Sequence, residues 1–171
     1  MRSKQANISL LSTLSIAIFV IAGCGSVPRP DGLPPTYPLN VKVLQEGTPL
    51  AEATVAFYFE DGSMKWTIGG VTDANGVAKM YTHGKFEGVP AGNFSVTVNK
   101  MLYEGKDEYD AAMERGDTAA ARAIDVNAWQ LVNDEYTLPS RTPIKVEIKK
   151  DTKNLEVNAG PAVRIKREIL K

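Results

Sequence analysis

The chain has little of what catalytic and metal-binding proteins usually collect. Among 171 residues there is one cysteine, Cys24, and one histidine, His83. A single thiol excludes an internal disulfide framework and a cysteine-based zinc site. A single imidazole excludes any site that needs two. There is no excess of either charge, with 20 basic and 20 acidic residues. Arg2 and Lys4 are the only charges in residues 1–23, so residues 24–171 keep 18 basic against all 20 acidic side chains. That balance argues against a nucleic-acid partner, which needs a basic face for the phosphates. No apolar run reaches the ~20 residues of a spanning helix. The apolar, uncharged segment near the start, Ile8–Gly23, has 16 residues.

What is present begins with that stretch. A short basic start, an apolar segment and small residues after it make a secretory signal over residues 1–23. It ends in Ile21-Ala22-Gly23-Cys24. This resembles the lipobox of bacterial lipoproteins, in which a signal peptidase cuts before the cysteine and lipid is attached to it. The resemblance implies that the mature chain starts at Cys24, carries covalent lipid there and uses no other cofactor. It also implies a membrane partner through the anchor. Gly25 follows the cysteine where an Asp would favour inner-membrane retention, which implies the outer membrane as the site in the cell envelope.

Residues 24–38 are rich in proline and read as an extended tether with no regular element. From residue 39 to 171 the pattern is period two. Val41 and Val43 flank Lys42; Val55, Phe57 and Phe59 alternate with Ala56 and Tyr58; Phe94, Val96 and Val98 alternate with Ser95 and Thr97. Ile144, Val146 and Ile148, then Leu155 and Val157, then Val163 and Ile165 continue it. Turn residues at 47–49, 61–62, 73–76, 89–92 and 151–154 separate these runs. The expectation is a mainly β chain, an antiparallel sandwich of short strands with one apolar face each. Residues 106–124, rich in Ala, Glu and Arg, read as a short helical insertion split at Gly116-Asp117, covering a sheet edge or one end of the sandwich.

Three ordered pieces carry a second resemblance: Gly47-Thr48-Pro49-Leu50-Ala51-Glu52-Ala53-Thr54-Val55, Val71-Thr72-Asp73-Ala74-Asn75-Gly76-Val77-Ala78, and Val89-Pro90-Ala91-Gly92-Asn93-Phe94-Ser95-Val96-Thr97-Val98. Together they resemble the carboxypeptidase regulatory-like, transthyretin-related β-sandwich, with Glu52 where a Gly is common. The whole chain is similar to planctomycete-type envelope lipoproteins that carry one such domain. The resemblance implies a transthyretin-like (prealbumin-like) fold and a structural or interaction role without catalysis, an envelope protein or a polysaccharide being the possible partner. The motifs also serve as plain turns.

Sharper chemistry meets obstacles. A calcium loop starting at Asp73 would need a Glu at its twelfth position, where Gly84 stands. An uncharacterised hydrolase would have to work with His83 alone. An isopeptide between Lys42 and Asn158 would need a buried lysine, whereas Lys42 sits on the polar side of its strand. A carbohydrate or cell-wall site remains as the alternative, built on the aromatic faces of Trp66, Tyr81 and Trp129.

Overall fold

The computed structural model describes residues 28–63 and 66–168. The signal segment, Cys24 and residues 25–27 of the tether lie outside the described residues. The domain opens with β1 (Thr36–Tyr37), β2 (Asn40–Gln45) and β3 (Thr48–Pro49). β4 (Thr54–Phe59), β5 (Ile68–Val71) and β6 (Val77–Lys79) follow, then the short pieces β7 (Tyr81–Thr82), β8 (Phe86–Glu87) and β9 (Val89–Pro90). β10 (Gly92–Asn99) is the longest strand and resumes after Lys100 as β11 (Met101–Glu104). Two helices, α1 (Lys106–Glu114) and α2 (Thr118–Ala123), lead to β12 (Asn127–Val132). α3 (Asp134–Thr137), β13 (Lys145–Ile148), β14 (Asn154–Asn158) and β15 (Ala162–Arg167) complete it.

The protein is mainly β, and two sheets share one core. The larger runs β13-β10-β4-β5-β7-β8, antiparallel at each pairing. The smaller runs β14-β2-β3, with β6 also paired to β2. Val41, Val43 and Val157 of the smaller sheet meet Val55, Phe57, Phe94, Val96 and Val98 of the larger in a single buried cluster. This is the expected β-sandwich. Its alternation is clear in β2: Val41 and Val43 are fully buried and Lys42 is exposed. Each such side chain contributes about 1.5–3 kcal/mol, which offsets the ordering of short strands that could not stand alone. Lys42 pairs with Glu156 across β14, in keeping with its polar side.

Two features depart from a simple alternating, antiparallel sandwich. β14 runs parallel to β2, with Leu155 opposite Val41 and Val157 opposite Val43. Side chains alternate identically in both directions, so the sequence pattern carries no sign of polarity; the long chain path from β2 to β14 permits it. β10 is buried on both faces, because Ser95 and Thr97 are as enclosed as their apolar neighbours. It is flanked by β13 and β4, and the Lys145 ammonium donates to Ser95 Oγ at 2.5 Å.

The turn motifs interlock. Glu46 and Gly47, at φ 51° and 79°, form the two-residue hairpin between β2 and β3. Thr72 Oγ1 accepts from Ala53 N–H at 2.7 Å and donates to Leu50 O at 2.6 Å. Asp73 Oδ1 accepts from the N–H groups of Asn75 and Val77, both at 2.9 Å. Of Asn75 and Gly76, only Gly76 takes positive φ, and a Cβ there would stand 2.9 Å from the Pro49 Cβ. The first two pieces of the resemblance are therefore one packed unit.

The tether is not free of structure along its described length. Leu33 is buried, Arg29 donates to Leu33 O and Pro34 O, and β1 pairs with β9. Tyr37 and Val89 have N–H groups to offer between the prolines, which is enough for a two-residue ladder.

Candidate functional site

The strongest concentration of exposed chemistry lies where β10 leaves the sandwich. Past Lys100, β11 pairs with β12, and β12 pairs with β15, giving a three-stranded extension. At the last pair, Glu104 opposite Asn127, the chain enters α1 and α2. Gly105 makes that entry at φ 78°, and a Cβ there would stand 2.6 Å from Asp125 O. Asp117, at the split between the two helices, caps α2, accepting from Ala120 N–H at 2.9 Å. The N-cap of α1 is Gly105, with Asp107 and Glu108 in the first turn, where negative charge favours the helix dipole. The helices bury Ala112 and Ala121 and pack chiefly on one another. They extend the small third sheet instead of covering a main sheet edge.

Register places Leu102, Trp129 and Lys166 on one face of the extension. The Trp129 indole N–H donates to Glu104 Oε2 at 2.7 Å. Arg164 lies over the indole ring at 4.5 Å and pairs with Glu104, and the Lys166 ammonium is 5.8 Å from the ring centre. The Trp129 hydrogen bond, helped by Arg164 and Lys166, holds the Glu104 carboxyl below the usual carboxylate range. The opposite face is tied inward. Arg167 donates twice to Gln130 Oε1, at 3.0 and 2.8 Å, and pairs with Asp134. Gln130 Nε2–H donates to Asp134 Oδ1 at 2.7 Å. Four of the six exposed large apolar side chains among the described residues, Leu102, Tyr103, Tyr109 and Met113, belong to β11 and α1.

The other two aromatic candidates lie elsewhere. Tyr81 is on β7, with the Lys79 ammonium 5.7 Å from its ring and Lys79 bound to Glu87 at 2.8 Å. Trp66, just before β5, meets the His83 ring edge-on at 5.4 Å. His83 is exposed, at φ 55°, in the turn between β7 and β8. Trp66 and Tyr81 thus share one end of the larger sheet, and Trp129 sits on the third sheet.

Sequence reasoning passed over Glu104, Arg164, Lys166 and the strand β12 itself. The signal was present but inverted. In Asn127–Val132 the buried positions are Ala128, Gln130 and Val132, while Trp129 and Leu131 face outward. An aromatic on the outer side and an amide on the inner side conceal the period-two pattern. Among the described residues there is no group of three or more His, Cys, Asp or Glu placed to hold a metal, and no helix long and apolar enough to cross a membrane. No protein-family model matches the chain, and neither a curated protein nor a solved structure gives a significant match.

Proposed function

We propose that the chain is a bacterial envelope lipoprotein, moored through lipid on Cys24, whose transthyretin-like sandwich serves an interaction or structural role without catalysis. What supports the anchor is the apolar segment ending in Ile21-Ala22-Gly23-Cys24. What carries the interaction role is that Leu102, Tyr103, Tyr109 and Met113 stay exposed on β11 and α1, outside the core cluster. Exposed apolar side chains on such a segment are a common mark of contact surfaces. The residues of the family-like motifs serve the fold: Thr72, Asp73 and Gly76 hold turns and close strand ends.

The test is affinity capture of the native protein from its own membranes, against a Leu102→Ser/Met113→Ser variant. Both positions are exposed, so the variant keeps the fold. The reading expects an envelope component that is retained by the wild type and lost from the variant. Equal recovery from both, or turnover of a substrate by the purified protein, contradicts it.

A further inference from the structure

The larger sheet ends in β13 and the smaller in β14, joined by the turn at residues 149–153, so among the described residues both sheets end unpaired on one side. Half-buried Ile144, Val146 and Leu155 line that side. Val96 N–H donates to Ile144 O at 2.9 Å, and Phe94 and Gly92 stand opposite Val146 and Ile148. Antiparallel pairs alternate in their bonding, so residues 144, 146 and 148 commit their backbone groups to β10. Lys145 and Glu147 turn theirs to the free side.

We infer that β13 pairs antiparallel with β13 of a second copy of this chain, with Val146 opposite its own counterpart. The charges select the occupant and the register. With Val146 at the centre, Lys145 faces Glu147 of the other copy twice over, and Ile144 faces Ile148. A two-residue slip of one strand past the other, which moves the centre to Glu147, sets Glu147 against Glu147. Charged edges generally resist pairing; here the registers centred on Lys145 or on Glu147 set like charges together, and the Val146-centred one is complementary with both charge pairs inside the strand. The outward backbone groups of Lys145 and Glu147 then bond across the twofold axis. Both side chains are well exposed, Lys145 at 51% and Glu147 at 61%, and on pairing they exchange their surface partners, Ser95 and Glu60 for Lys145 and Lys149 for Glu147, for the charges of the other copy. The strand is short, so the contact falls below the ~1,200–2,000 Å² of a tight interface and the dimer is weak.

Sedimentation equilibrium of the full chain in mild detergent, up to about 1 mM, tests this. Wild type is expected to show monomer–dimer exchange. Lys145→Glu and Glu147→Lys, each alone, place like charges opposite and weaken the dimer about tenfold. The double swap restores it, and circular dichroism verifies that each variant is folded. A monomer at every concentration overturns the inference, as does a dimer indifferent to the single variants or a double swap that fails to rescue.

Discussion

Thr72 is buried at 3% exposure and its hydroxyl both accepts and donates across the loop after β3. Thr72→Val keeps the shape and orphans Ala53 N–H and Leu50 O. An unmet buried group costs about 1–3 kcal/mol, and denaturant unfolding should show a loss in that range. Gly88 takes φ 95°, and a Cβ there would stand 2.2 Å from Tyr37 O. Gly88→Ala therefore strains its own backbone and pushes β1 away from β9; its expected cost exceeds ~1 kcal/mol, with faster amide exchange at Thr36 and Tyr37. Asp73 gives a pH signature. Backbone N–H groups of Val77 and Asn75 hold its carboxyl below the usual range. Folding lowers this pKa, so the stabilisation is complete above the unfolded value of ~3.9 and disappears as pH falls through the folded one. Calorimetry from pH 6 to pH 2 should find a melting temperature that falls at the acid end, and a shallower fall in Asp73→Asn.

Among elements, the helices α1 and α2 pack mainly on each other and end where Glu104 and Asn127 already face across the ladder. Replacing residues 105–126 by a two-residue Asn-Gly turn should leave the sandwich intact and move the melting temperature by no more than roughly 4 °C. A collapse of cooperative unfolding would show that the helices support the core. Legibility in the sequence followed packing. β2, β4, β10, β13 and β14 announced themselves because aliphatic residues repeat on the side of each that meets the core, and β15 because Val163 and Ile165 repeat on its half-buried side. β12 did not, since its inner face is built from an amide held by Arg167 and Asp134. The parallel direction of β14 left no mark, because direction does not alter which side chains face inward. The cluster of Glu104, Trp129 and Arg164 spans 60 residues of sequence from end to end and comes together only through two ladders.

The whole molecule combines a two-sheet core with an N-terminal segment that returns to it. Phe94 sits at the centre, with its ring 4.4 Å from that of Phe59 and 5.5 Å from that of Phe57. Phe94→Ala should cost about 3–5 kcal/mol, more than any surface change considered above. Leu33 is already buried in the domain, so nine residue steps of chain separate Cys24 from it. A lipid on Cys24 would hold the body within roughly 3 nm of the bilayer, at ~3.1 Å per residue of extended chain. Intact-mass and peptide mass spectrometry of the protein taken from its native membranes tests this arrangement most directly. The account predicts a mature chain whose first residue is Cys24, carrying acyl chains, and a Cys24→Ala variant that keeps residues 1–23 and gains no lipid. An unmodified Cys24, or normal maturation of the variant, would contradict it.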